Sequence, residues 1–383
     1  MAAEQEADRL KSIARTLGPG EFAAIAAAVL GSERPALIGA PKIIRLSAHH
    51  YDSRTIGMLH VSGQATDAEG QLQAWSCVIK VIDLLQAPRA NSFVDAANEV
   101  LVYRDGVFDT GEARFRPARC YLITDGPGST TLLWLEDLTG LQKPPFTLEE
   151  LDGMAAHLGS WNAHQARSPA TLPFEPRSNS FQLRWDRTPA VQQAARLREL
   201  HQHRYVRNAY RDVSLDKAGE FLRLVDKLNQ KAALLPASLC FGDCNVGNLF
   251  SGENETVAVD WASITRDPLG VDAGCMVGSA ICWGRSGAAI AADERSLFET
   301  YLASVAAGGV VRATADVRLA YLSLYGFYVW FCAAMPVLLV DEVFPIHLLE
   351  LRFGARAEEI PGLVSGVIAG LPAYIEECSL LAS

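Results

Sequence analysis

Two neighbouring stretches constrain this chain more than anything else in it: Leu239-Cys240-Phe241-Gly242-Asp243-Cys244-Asn245-Val246-Gly247-Asn248-Leu249-Phe250, then Val257-Ala258-Val259-Asp260-Trp261. An apolar approach runs into a polar loop, a short apolar strand, a turn and a second short strand. The turn, Ser251-Gly252-Glu253-Asn254-Glu255, has the Gly and Asn that a hairpin favours. Such a hairpin brings Asp243, Asn248 and Asp260 to one end. Two carboxylates and one amide are all oxygen donors, and they suit a hard cation such as Mg²⁺ that also holds phosphates. A carboxylate left off the metal can instead accept a proton from a hydroxyl.

Elsewhere the pattern is of strands first and helices after. Helical spacing of Leu10, Ile13, Ala14 and Leu17 is broken by Gly18-Pro19-Gly20, and an Ala-rich helix follows to Leu30. Strands are expected at Lys42–Ala48, Gly57–Gln64 and Gln73–Asp83, and the third contains Lys80 among β-branched neighbours. A lysine there is costly to bury unless it meets an anion. A helix from Phe93 to Phe108 is expected to bury Val94, Ala97, Leu101 and Phe108. Cys120–Thr124 and Thr131–Leu138 form a hairpin around Gly126-Pro127-Gly128. Thr147-Leu148-Glu149-Glu150 opens a helix with a capping-box pattern. Helices follow at about 189–211 and 214–234.

The chain has 383 residues, enough for two lobes, and its net charge of −10 argues against nucleic acid or an anionic membrane as partner. Eight scattered cysteines with no Cys-x-x-Cys pair read as free thiols, consistent with a cytoplasmic protein. The acidic N-terminus has no secretory apolar core. Ala320 to Val340 carries no charge and is as long as a bilayer span, but Pro336 and its aromatics fit a buried helix better.

The Asp243-to-Asn248 spacing followed by Val259-Asp260-Trp261 resembles the catalytic loop of the aminoglycoside phosphotransferase and choline kinase group of small-molecule kinases. The resemblance covers about residues 40–340. It implies an α+β, two-lobe, protein-kinase-like fold. A small N-terminal nucleotide-binding lobe spans 1–138, a helical cap plus antiparallel sheet, and a larger, mainly helical catalytic and substrate-binding lobe spans 139–383. It implies ATP and Mg²⁺ as cofactors, Asp243 as the base facing the acceptor hydroxyl, and Asn248 and Asp260 as metal ligands. Lys80 would meet the nucleotide's phosphates with Glu99 as its helix partner. Ser53, in a turn without a glycine-rich signature, would help cover the phosphates. Leu133-Trp134-Leu135-Glu136-Asp137-Leu138 looks like the hinge, where an adenine edge pairs with backbone groups at Glu136 and Leu138. The loop-rich insertion from Arg167 to Arg187 lies where the family shapes its substrate pocket, with Asn179, Arg184, Trp185 and Asp186 as an aromatic and polar wall for a polar or cationic acceptor.

By the same resemblance Asp272 would open a helix and pin the catalytic loop. Only twelve positions separate Asp260 from Asp272, too few for a phosphorylatable activation segment. That favours transfer to a small molecule such as an aminoglycoside-like antibiotic, an amino alcohol or a sugar. Phe241 departs from the family's usual His. It is the sole support for an alternative reading, a nucleotide-binding, pseudokinase-type regulator.

Overall fold

The computed structural model describes residues 2–33, 35–46, 54–67, 69–87, 95–105, 114–186 and 190–383. Two helices, α1 (Ala2–Thr16) and α2 (Pro19–Leu30), part at Gly18. Gly18 is extended, and its N–H is capped by the Glu21 carboxylate at 2.8 Å. Next come strands β1 (Ala36–Leu46), β2 (Thr55–Thr66) and β3 (Leu72–Asp83). After α3 (Ala96–Arg104) and the short β4 (Phe115–Pro117), β5 (Cys120–Asp125) and β6 (Thr130–Glu136) complete an antiparallel sheet of order β1-β2-β3-β6-β5. The first strand begins at Ala36 rather than Lys42. A bulge between Ile38 and Lys42, with Gly39 at φ 71°, lets it continue through residues whose Gly and Pro punctuation reads as loop.

Strand periodicity decides where Lys80 points. Trp75, Cys77, Ile79 and Val81 alternate onto the face covered by α1 and α2, packing with Leu10, Ile13, Phe22 and Ile25. The opposite face receives Lys80 and Ile82, and there Ile82 packs against Ala96 and Val100 of α3. The buried side of α3 runs through Ala96, Glu99, Val100 and Val102, not through Ala97 and Leu101. Val94 and Phe108, expected on that face, lie outside the described residues.

Beyond Glu136 the chain is mostly helical. The helix α4 (Leu148–Arg167) opens on the capping box formed by Thr147 and Glu150. The expected helix at 189–211 is two, Ala190–Glu199 and Arg204–Ala209, because His203 caps the second by accepting from the Tyr205 N–H. The helix Thr314–Val340 is long and apolar enough to span a bilayer by length and composition. Its most apolar window is 83% buried within the protein, and its Arg318 pairs with Glu294 and Glu377. The fold is mixed α+β, with a small antiparallel sheet followed by many helices.

The helix Val271–Ala280 lies unusually close to Thr314–Val340. A β-carbon on Gly274 would stand 2.2 Å from the Tyr321 carbonyl oxygen, and those on Gly270 and Gly278 would meet Val317 and Tyr328. Three glycines at a spacing of four therefore set the contact distance. Gly274→Val should overpack this contact and destabilise the protein by about 2–3 kcal/mol. A urea midpoint equal to wild type would show that the helices can separate freely.

Candidate active site

The Lys80 ammonium is the junction of three elements. It reaches Glu99 Oε2 of α3 at 2.5 Å and Asp260 Oδ1 at 2.8 Å. Burial alone would push the Lys80 pKa down, but the Asp260 and Glu99 carboxylates outweigh it and hold the ammonium above the ordinary lysine value. Glu99 is fully buried, whereas the Asp260 side chain is 39% exposed. Asp260 has left-handed dihedrals (φ 66°, ψ 56°) and starts the single turn Trp261–Ser263. Asp is one of the few side chains that tolerates this conformation.

The second cluster centres on Asp243. Its Oδ2 accepts from Asn248 Nδ2 at 3.1 Å, and its Oδ1 accepts from Arg184 Nη2 at 2.6 Å. The Asn248 amide nitrogen also bonds the Asp243 carbonyl, so the amide oxygen is the atom left for a cation. Val259 N–H donates to Asn248 C=O at 3.0 Å, which sets Asn248 beside Asp260. The parallel pairing of Phe115–Pro117 with Thr256–Ala258 ties this hairpin to the chain leading into the main sheet.

The buried Asp272 carboxylate holds the loop from below. It accepts from Phe241 N–H at 2.8 Å, Gly242 N–H at 3.0 Å and Asn162 Nδ2 at 3.2 Å. Burial raises its pKa and these three bonds oppose the rise. Gly242 sits at φ 83°, and a β-carbon there would lie 1.9 Å from the Ser263 carbonyl oxygen. The sequence offers no side chain here to explain, and the reason is steric. Phe241 is fully buried, its ring 4.5 Å from that of Trp261.

Of the residues singled out in the sequence, Lys80, Glu99 and Asp260 form one connected group, and Asp243 and Asn248 form another. Ser53 lies outside the described residues. Glu136 is largely committed. Its N–H donates to the Arg119 carbonyl at 2.8 Å, and its carboxylate pairs with Arg116 at 2.7 Å. Leu138 is buried, and its carbonyl accepts from the Leu141 N–H. Among the described residues there is no group of three or more His, Cys, Asp or Glu that could hold a metal. Asn248 and Asp260 offer two side-chain oxygens that could serve a hard cation, whose remaining ligands would have to come from phosphates and water.

The expected substrate wall needs correction. Trp185 is buried, packs edge-on against Phe327 and donates its indole N–H to the Ser323 carbonyl, so it presents no aromatic surface to a ligand. Arg184 is also buried and points at Asp243. Sequence reasoning found neither the Arg184–Asp243 pair nor Arg116, whose guanidinium bridges Glu136 to Glu255 in the hairpin turn. An aromatic flanked by polar residues reads alike whether it faces solvent or core.

The chain belongs to the APH phosphotransferase enzyme family, whose model matches residues 111–307, just over half its length. The match contains Arg184, Asp243, Asn248 and Asp260, while Lys80 and Glu99 precede it. Similar solved structures include a choline/ethanolamine kinase family protein from Mesorhizobium loti, 14% identical with a TM-score of 0.43, covering 91% of this chain and 97% of that one. A choline kinase from Cryptosporidium parvum is 11% identical, with a TM-score of 0.44 and coverage of 89% and 90%. A spectinomycin phosphotransferase in complex with ADP and spectinomycin is 12% identical, with a TM-score of 0.41 and coverage of 94% and 99%. No curated protein matches the sequence significantly.

The buried Lys80–Glu99 pair generates a stability prediction. Lys80→Met strands a buried carboxylate and should cost about 3–5 kcal/mol, whereas Lys80→Met with Glu99→Leu should recover most of that loss. Denaturant titration of the two single variants and the double variant measures the coupling. Simple additivity would contradict it.

Proposed function

We propose that the protein transfers the γ-phosphoryl group of ATP to a hydroxyl of a small polar molecule, in the class of aminoglycoside-like antibiotics, amino alcohols and sugars. The observation that carries this reading is the pair of clusters: an ammonium shared by Glu99 and Asp260, and a partly exposed carboxylate, Asp243, held through both oxygens beside Asn248. The first supplies positive charge for phosphates, the second a base for the acceptor. Mg²⁺, held by the Asn248 amide oxygen and the Asp260 carboxylate, would neutralise phosphate charge. Lys80 keeps its charge at neutral pH and contacts the phosphates. The adenine edge pairs with the Glu136 carbonyl and the Leu138 N–H, since the other backbone groups of these two residues already have partners. The division at 138/139 into nucleotide and acceptor lobes belongs to the same proposal.

In the transfer, Asp243 accepts the proton of the acceptor hydroxyl as its oxygen bonds to the γ-phosphorus. The bond from that phosphorus to the β–γ bridging oxygen breaks, and its electron pair leaves with ADP. Orientation of the hydroxyl by Asp243 is the main contribution of the loop, because phosphoryl transfer leaves the protein mostly positioning and electrostatic work. Phe241 gives little support to an inactive regulator. Its side chain fills core space, and the loop's bracing runs through its backbone N–H to Asp272.

Thermal-shift titration should reveal stabilisation by Mg-ATP that grows with ligand, about 2.7 kcal/mol at a hundred times Kd. Asp260→Ala should abolish it. Asp243→Asn should keep the shift yet lower turnover by about 10²–10⁴-fold. Absence of any shift at millimolar Mg-ATP would refute the proposal, and wild-type turnover in Asp243→Asn would refute the base assignment.

A further inference from the structure

The insertion between α4 and the helix Asp216–Ala232 is built around one guanidinium. The short helix Ser180–Asp186 carries Arg184 inward and is anchored on both flanks of it. At its start the Ser180 N–H donates to buried Asp267 at 2.9 Å, and Asp267 also accepts from the Thr265 hydroxyl at 2.7 Å. Beside Arg184, Trp185 is locked by its bond to the Ser323 carbonyl and by packing against Phe221 and Phe327. The preceding residues, Arg177–Ser178, add a strand to Thr265–Pro268, which itself pairs with Ala237–Cys240 at the entry to the Asp243 loop. The insertion is thus fastened to the framework that carries Asp243.

Arg184 Nη2 donates to the Gly242 carbonyl at 3.0 Å as well as to Asp243 Oδ1 at 2.6 Å, and Nη1 lies 3.4 Å from the Tyr328 hydroxyl. One nitrogen of the buried guanidinium therefore holds both the backbone before Asp243 and one carboxylate oxygen, while the rigid plane directs Nη1 to Tyr328. With Asn248 on Oδ2, each Asp243 oxygen has one side-chain donor and keeps acceptor capacity for a hydroxyl. The Asp243 side chain is 18% exposed and that of Arg184 9%, so the carboxylate is the more open of the two.

We propose that Arg184 is the positioning residue of the transfer site: it fixes the plane of the Asp243 carboxylate and compensates its charge, so that the acceptor hydroxyl meets a single preset oxygen geometry. This rests on the reading of Asp243 as the base. The Arg184 bonds described run to Gly242, Asp243 and Tyr328 rather than to Lys80, Asn248 or Asp260, so its loss should alter turnover and leave nucleotide affinity alone. A misplaced base costs about 10²-fold in rate.

The test uses the full chain, water as the acceptor in slow ADP release, and Mg-ATP thermal shift on the same preparations. Arg184→Gln should lower ADP release at saturating ATP by about 10²-fold while KM for ATP and the Mg-ATP shift stay near wild type. Arg184→Lys, which keeps the charge and is the safer variant for folding, should lie between the two. Guanidinium chloride at low, non-denaturing concentration should restore ADP release in Arg184→Ala but not in Asp243→Asn. Unchanged turnover in Arg184→Gln, loss of turnover together with Mg-ATP binding, or failure of guanidinium to restore Arg184→Ala would each overturn the proposal. A wild-type protein with no Mg-ATP shift would instead refute the phosphotransferase reading itself, and this proposal with it.

Discussion

A buried ammonium shared by two carboxylates holds the candidate site together. Lys80 comes from the central strand of the sheet, Glu99 from the helix that covers its inner face, and Asp260 from a hairpin 180 residues further along the chain. Burying Lys80 or Glu99 alone would be prohibitive, so the strand and the helix depend on each other, and Asp260 adds a second, partly exposed partner. Strand alternation aims Lys80 away from the α1–α2 face, and the apolar packing of Ile82 with Ala96 and Val100 delivers Glu99 to it. The left-handed turn at Asp260 then presents a partly exposed carboxylate.

The second half of the site is organised from beneath, through the backbone of the Asp243 loop. Asp272, at the start of the helix Val271–Ala280, takes two consecutive backbone N–H groups of the loop. That helix, buried along its whole length, is set by its glycine contacts against Thr314–Val340. Positional precision at Asp243 is thereby inherited from core packing, which deforms little. Arg184 and Asn248 then fix the carboxylate from either side. Gly242 is required because the loop passes too close to Ser263 for any side chain.

What the sequence made legible follows from range and type of signal. Asp243, Asn248 and Asp260 lie within one hairpin, so local spacing suffices to group them. Lys80 was readable because a lysine in an apolar strand demands an anion, and the strand alternation and capping box were readable for similar local reasons. The Arg184–Asp243 pair joins residues 59 apart across an irregular insertion, and no periodicity marks it. The same irregularity led Trp185 to be read as a pocket wall when it is core. The buried face of α3 was misplaced because Glu99 counts as polar in any apolar pattern, although its partner allows it to be buried. The start of β1 was hidden by Gly39 and Pro41, residues that normally end a strand and here accompany a bulge.

We propose that these two clusters serve phosphoryl transfer to a small hydroxyl compound. An ADP-release screen across antibiotics, choline-type alcohols, sugars, hydroxylated metabolites and a generic protein substrate tests it most directly, with mass spectrometry of each acceptor. The expected result is ADP release well above the rate with water for a small hydroxyl acceptor, matched mole for mole by that acceptor bearing one added phosphoryl group. Activity confined to the protein substrate, or no acceptor-dependent ADP release from a protein that binds Mg-ATP, would contradict it.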